Sequence, residues 1–107
     1  MANPLAGEVA VLLDGAPHVM KLTLGALAEL ETALDAPSLV ELVERFEGGR
    51  FSTRDVLALV VAGLRGGGWS GVAGDLLKVE IGGGPVEAAR AAAELLARAF
   101  QVPGNAG

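Results

Sequence analysis

The sequence predicts an α+β fold, in which an N-terminal β-hairpin is followed by a bundle of four to five α-helices. Two short apolar runs flank the pair Asp14-Gly15 near the N-terminus, and this arrangement is a hairpin signal. The segments that follow repeat apolar residues at helical spacing and are separated by glycine or proline clusters. Because 107 residues is an ordinary domain size, we expect a single domain over residues 1–107, with an ordered core at about residues 7–101 and flexible ends at 1–6 and 102–107.

The hairpin prediction depends on Asp14-Gly15, because both central residues of a type I′ turn need a positive φ. Residues 8–13 are then the first strand and residues 17–22 the second. A two-residue turn places Val9 opposite Met20 and Val11 opposite His18. A four-residue turn shifts the pairing by two residues and leaves the two faces unchanged. In either case the face that needs a covering helix layer consists of Val9, Val11, Leu13, Met20 and Leu22.

The first two helices are predicted from their caps and their apolar faces. Thr23 is the N-cap of the first helix, which ends before Pro37 because a residue that precedes proline is pushed out of the α region. Ser38 and Glu41 form a capping box for the second helix, which stops at Gly48-Gly49. The apolar residues at helical spacing are Leu24, Leu27, Leu30 and Leu34 in the first helix, and Leu39, Leu42, Val43 and Phe46 in the second.

The third helix is predicted to be the central one. Ser52 and Asp55 form a second capping pair, and residues 56–64 after them are apolar on every side. A helix without a polar face packs against several neighbours. The run Gly66-Gly67-Gly68 ends this helix.

Two further helices are predicted in the last third of the chain. Residues 69–81 hold a short helix that glycines weaken, and Pro85 suits the first turn of a last helix over residues 86–100. Pairs of opposite charge at i,i+4 are Arg90–Glu94 and Glu94–Arg98. We expect one stripe of the last helix to pack on the core, with an assembly surface as the alternative, and that stripe consists of Val86, Ala89, Ala93, Leu96 and Phe100.

Composition and charge exclude several functional classes. The chain has no cysteine, which excludes disulfides, thiolate metal sites and a cysteine nucleophile. Eight basic residues against 13 acidic ones give a net charge of −5, which disfavours binding to a phosphate backbone. We find no signal-peptide pattern, and the longest apolar run is shorter than the roughly 20 residues that span a bilayer. We therefore expect a soluble, cytoplasmic protein without a nucleic-acid or membrane partner.

The candidate chemical sites are weak. Residues 66–71 match the dinucleotide-binding motif G-x-G-x-x-G, but a helix rather than a strand precedes them, which favours a helix end followed by a turn. His18 lacks an evident nucleophile or second ligand, so we expect it on or beside the packed hairpin face with a local hydrogen bond. The row Glu41, Glu44 and Glu47 lacks a loop that would add carbonyl ligands, which favours a solvated helix face. The residues thus predict no catalytic centre, no cofactor and no metal site.

Three sequence blocks occur in a characteristic order: residues 22–31 (LTLGALAELE), 45–49 (RFEGG) and 62–68 (AGLRGGG). Together with the hairpin and its Asp14-Gly15 turn, they resemble a small family encoded in the tail gene clusters of gene transfer agents and related phages. The similarity covers about residues 7–100. It implies a role in tail morphogenesis and no catalysis. The family is described either as a tail tube component or as a tail assembly chaperone, which keeps the tape measure protein soluble while the tube polymerises.

Of these two roles, the predicted fold favours the chaperone, since tail tube proteins usually build rings from β-sandwich-like folds and one hairpin provides too little strand. Tape measure proteins are long and helical, so we expect an apolar surface of this chain to bind one of their helices. We place that surface on the helices around residues 56–64 and 86–100. Trp69 is either a core residue or an exposed anchor. The predicted partner-binding residues are Trp69, Val72, Leu76 and Phe100.

Several alternatives stay open. The chain is either a transient assembly factor in the cytoplasm or a structural subunit of the finished particle. Its expected partners are the tape measure protein and other tail proteins, and self-association is also open. An enzyme would need a bound metal or nucleotide, and a DNA-binding protein would show salt-dependent association.

Overall fold

The computed structural model describes residues 7–34 and 39–100, and within these ranges the predicted α+β fold is confirmed as a hairpin followed by five helices. The predicted flexible ends, the helix end at residues 35–37 and the role of Ser38 in a capping box lie outside the described residues. The elements, in chain order, are β1 (Val9–Leu13), β2 (Ala16–Met20), α1 (Leu24–Leu34), α2 (Leu39–Glu47), α3 (Thr53–Gly66), α4 (Ala73–Leu76) and α5 (Gly84–Ala99).

The hairpin has the predicted turn and register. Asp14 and Gly15 have φ values of 50° and 82°, as a turn of the I′ type requires. Val9 pairs with Met20 and Val11 with His18. Four of the five predicted inward-facing residues are buried, and Leu22 packs against the core while half-buried. The buried four are Val9, Val11, Leu13 and Met20.

The outer edge of β1 is occupied at both of its ends by residues from late in the chain. Asp14 N donates to Glu80 O at 2.8 Å, Glu80 N donates to Asp14 Oδ1 at 2.9 Å, and Gly82 N donates to Leu12 O at 3.0 Å. At the other end, the Arg98 guanidinium donates to Glu8 O. Both ends of this edge are therefore closed to a further strand.

Helix α3 is central, as predicted, and contacts α1, α5, β2 and α4. Its first turn has the predicted capping box: Asp55 N donates to Ser52 Oγ at 3.1 Å, and Ser52 N donates to Asp55 Oδ2 at 2.9 Å. Asp55 is 4% exposed, and its carboxylate also accepts a 3.3 Å hydrogen bond from Arg45 at the end of α2. One buried carboxylate thus caps α3 and ties α2 to it.

The end of α3 lies directly on the backbone of β2. Lys21 N donates to Gly63 O at 2.8 Å. A Cβ atom at Gly67 would lie 2.9 Å from the Val19 carbonyl carbon, and one at Gly66 would lie 3.1 Å from the Lys21 carbonyl carbon. The glycines let helix and strand approach more closely than side chains would allow. The glycine run therefore closes the core as well as ending the helix.

Two predicted helix faces differ from the structure. Leu24 is 86% exposed, because it stands at the first position of α1 and the buried face of this helix runs through Ala26, Leu30 and Leu34. In α5, Leu96 is the one buried member of the predicted stripe, whereas Val86 is 81% and Phe100 45% exposed. The buried face consists of Ala88, Ala91, Ala92, Leu95 and Leu96.

The predicted helix within residues 69–81 is a single turn, α4. Asp75 accepts a 2.9 Å hydrogen bond from Val72 N at its start. The chain then continues without helix to the isolated bridge between Ile81 and Leu13. This segment fills the space between the hairpin and the start of α5.

Candidate functional site

The main candidate site is an apolar groove of about 600 Å³ between the first halves of α3 and α5. One wall belongs to α3 and the residues before it, and the opposite wall belongs to α5. The segment from α4 to α5 supplies the remaining side. We call this feature the α3–α5 groove, and its lining residues are Phe51, Ser52, Thr53, Val56, Leu57, Val60, Leu76, Val79, Glu80, Ile81, Gly84, Pro85, Val86, Ala88 and Ala89.

The local sequence explains why the groove stays open. The α5 residues that face it include Ala88 and Ala89, and these short side chains leave space beside α3. Val56 and Leu57 of α3 are consequently only half-buried. Since α4 is a single turn, no longer helix covers the opening. The groove can therefore accept apolar side chains from another molecule.

The polar groups of the groove are few and do not converge. The Ser52 hydroxyl already accepts the capping hydrogen bond from Asp55 N. Glu80 is the one ionisable residue in the lining. Pockets for small molecules usually combine an apolar wall with several polar groups that converge on the ligand. This lining instead suits the apolar face of a protein partner.

The structure does not bring the four predicted contact residues together in this groove. Leu76 is 5% exposed and lies in the lining, so it is a core residue with one side on the groove. Trp69 is half-buried against the hairpin core, Val72 is 57% exposed, and Phe100 is 45% exposed at the end of α5. These three residues are not part of the lining.

The predicted surface on the helices around residues 56–64 and 86–100 includes four lining residues that were not singled out as contacts, namely Val56, Leu57, Val60 and Val86. The apolar lining residues outside those ranges that the sequence did not indicate are Phe51, Val79 and Ile81. One signal was present: residues 56–64 are apolar all round, and such a helix carries more apolar surface than its neighbours need to cover. Phe51 has a further contact, since its ring stacks on Phe46 with centroids 4.5 Å apart.

The other candidates named from the sequence lie outside the lining of the α3–α5 groove. His18 is half-buried directly opposite Val11, on the packed face of the hairpin. Glu41 lies 3.6 Å from Arg45, while Glu44 and Glu47 are exposed. Across residues 7–34 and 39–100, no group of three or more His, Cys, Asp or Glu side chains is placed to hold a metal ion.

A charged row follows the outer side of α5. Arg90 pairs with Glu87 and lies 3.5 Å from Glu94, which Arg98 approaches at 3.4 Å. The hydrogen bond from Arg90 lowers the pKa of Glu87 below its ordinary value, and the same contact raises the pKa of Arg90. Both predicted i,i+4 pairs are therefore present, and their residues do not line the α3–α5 groove.

Comparison with known protein families identifies a match. A family model described as phage tail tube protein, GTA-gp10, matches residues 6–102. Neither curated proteins nor solved structures match the chain significantly. Among the described helices, none combines the length and the apolar character that crossing a membrane requires.

Proposed function

The chain belongs to the phage tail tube protein family GTA-gp10, and from this premise we propose that it is a tail assembly chaperone, which binds a helix of the tape measure protein while the tube is built. The family assigns the chain to the tails of phages and gene transfer agents. The observation that supports the chaperone role is the α3–α5 groove, an open apolar surface on an otherwise well-packed domain.

The proposed mechanism is helix binding in a groove. An amphipathic helix would place apolar residues spaced three and four apart between α3 and α5. Each large apolar side chain that becomes buried contributes about 1.5–3 kcal/mol before the cost of association. A groove of about 600 Å³ has room for a few such side chains. Binding would shield the apolar faces of the long tape measure protein from one another.

The proposal includes a non-enzymatic role. Acid–base catalysis needs positioned groups that exchange a proton, and the groove lining offers a single ionisable residue, Glu80. Trp69, Val72 and Phe100 lie outside the lining, so we propose them as contacts of a partner that extends beyond the groove. Leu76 contacts the bound helix from the core side.

A structural subunit of the tube is the second candidate, because the family description names a tail tube protein. The described residues contain one two-stranded sheet, β1 with β2, and both ends of the β1 outer edge are occupied. A tube ring built from continuous sheet would need more strand than these residues provide. For this reason we favour the chaperone over the subunit.

Two substitutions test the groove. Val86 and Leu24 are both exposed apolar residues on helices, but of these two only Val86 lines the groove. With the tape measure protein from the same gene cluster as the binding partner, Val86→Asp should weaken binding at least about tenfold, since a charge would be buried on binding. Leu24→Asp should bind as the wild type does. Equal affinities for the wild type and Val86→Asp would contradict the proposed site.

A count of copies separates the two candidates. Quantitative mass spectrometry of purified particles should find this chain absent or rare, while it is abundant in the producing cells. A copy number similar to that of the main tube subunit would overturn the chaperone role and support the structural one.

A further inference from the structure

Glu80 is held rigidly at the wall of the α3–α5 groove. Its backbone N–H donates to Asp14 Oδ1 at 2.9 Å, and its carbonyl accepts from Asp14 N at 2.8 Å. The next residue, Ile81, forms the bridge to Leu13. A residue in a connecting segment is therefore fixed in place by the hairpin turn, and its side chain starts from a defined backbone position.

The Glu80 carboxylate is available to a partner. Glu80 is exposed, and none of the ion pairs within residues 7–34 and 39–100 involves it. Nearby Glu87 differs, because Arg90 already neutralises it. The positive end of the α5 dipole lies on the same side of the groove, with Glu87 in the first turn to offset it. Glu80 thus contributes an unpaired negative charge to a lining that otherwise carries none.

A charge at the edge of an apolar site selects the orientation of a ligand more than it raises affinity. An apolar helix face could enter the groove in either direction. A single carboxylate makes one direction better when the helix carries a Lys or Arg beside its apolar face. It also disfavours helices that place Asp or Glu there. The net charge of −5 likewise attracts cationic helices and repels acidic ones as they approach the protein.

We infer that Glu80 orients the helix bound in the groove by pairing with a Lys or Arg at the edge of the apolar face of that helix. The inference rests on the proposed function, and it specifies the partner segment: an amphipathic helix with a cationic residue at the end that lies near Glu80. Glu80 is a specificity-determining residue in this scheme, and the apolar walls supply the affinity.

The test uses two synthetic helical peptides as probes. They share one Leu/Ala-rich apolar face and differ at a single flanking position, which is Lys in one and Glu in the other. Fluorescence anisotropy gives the Kd of each peptide for the wild type, E80Q and E80K. The wild type should bind the Lys peptide about two- to fivefold more tightly, as expected for a partly exposed ion pair. E80Q should remove this preference, and E80K should reverse it.

Controls separate a local charge effect from net charge and from folding. Glu31→Gln removes one negative charge from the exposed side of α1, away from the groove, and should keep the wild-type preference. The preference should also shrink in high salt, while the affinity for the apolar face persists. Circular dichroism spectra of the variants should match that of the wild type.

The remaining outcomes contradict either the role of Glu80, the inferred partner class or the proposed function. If Val86→Asp abolishes binding of both peptides but the wild type shows no Lys preference, or E80Q retains it, the role of Glu80 is wrong and the groove stands. If neither peptide binds while the tape measure protein does, the inferred partner class is wrong. If the tape measure protein does not bind either, the proposed function fails.

Discussion

Replacing Gly66 by alanine should destabilise the fold, because this glycine lies against the backbone of Lys21, directly after β2. A Cβ atom there would lie 3.1 Å from the Lys21 carbonyl carbon and 3.4 Å from Ala26 Cβ, and closer still to the Lys21 oxygen. The hydrogen bond from Lys21 N to Gly63 O, at 2.8 Å, holds Lys21 close to α3. The added methyl group can be accommodated only if α3 moves away from the hairpin.

The expected loss follows from three contributions. Overpacking of a close contact costs about 1–3 kcal/mol. Weakening of the hydrogen bond between Lys21 and Gly63 costs about 1 kcal/mol of stability. The higher helix propensity of alanine offsets this loss by about the same amount. The net decrease in the free energy of unfolding is therefore about 1–3 kcal/mol, and each kcal/mol lowers the Tm of such a domain by roughly 4–8 °C.

Urea unfolding followed by circular dichroism measures this decrease. The matched control is Gly25→Ala in α1, where the nearest atom to the new Cβ is Thr23 Oγ1 at 3.8 Å. This variant should be as stable as the wild type or more stable by about 0.5–1 kcal/mol. If Gly66→Ala were as stable as the wild type, or if both variants lost the same stability, the close approach of α3 and β2 would be refuted.

Two further predictions concern charged groups. Asp55→Ala should lower the free energy of unfolding by about 1–3 kcal/mol, because it removes an N-terminal cap and a buried ion-pair partner; urea unfolding checks this, and a loss below about 0.5 kcal/mol would contradict it. Arg90→Gln should raise the pKa of Glu87 towards its ordinary value, as measured by an NMR titration of the Glu87 carboxyl. Since the pKa is lowered in the folded state, the stabilisation by this pair is present above the ordinary value of 4.5 and is lost as the pH falls through the folded-state pKa. An unchanged titration midpoint in Arg90→Gln would show that the pair does not form in solution.

The parts of the fold that the sequence predicts well are those with strong local rules. Asp14-Gly15 determines the turn, and the period of two then determines which residues of the hairpin face inward. Ser52 and Asp55 start α3 as predicted, and the uniformly apolar residues after them place it at the centre. In each case a few neighbouring residues contain all the information needed.

The features of the fold and of the groove that the sequence did not predict depend on tertiary packing. In α5 alanines stand on several sides of the helix, so the apolar period alone does not choose between the predicted stripe and the observed one through Ala88, Ala91 and Leu95. The packing role of Gly66 and Gly67 depends on the carbonyl groups of β2, more than 40 residues earlier. The groove is the gap between two elements, and its third side comes from the segment around Val79 and Ile81. No local pattern encodes such a gap.

The ties between the hairpin and the last third of the chain affect how the protein folds during synthesis. The hairpin is synthesised before the five described helices, yet the ends of its outer edge are occupied only after Glu80, Gly82 and Arg98 have followed. At a synthesis rate of 5–20 residues per second, residues 21–98 follow over roughly 4–16 s. The apolar face of β1 and β2 stays without its covering helices for most of that time. The apolar hairpin face of the nascent chain is therefore open to other apolar segments until α3 and α5 have been synthesised.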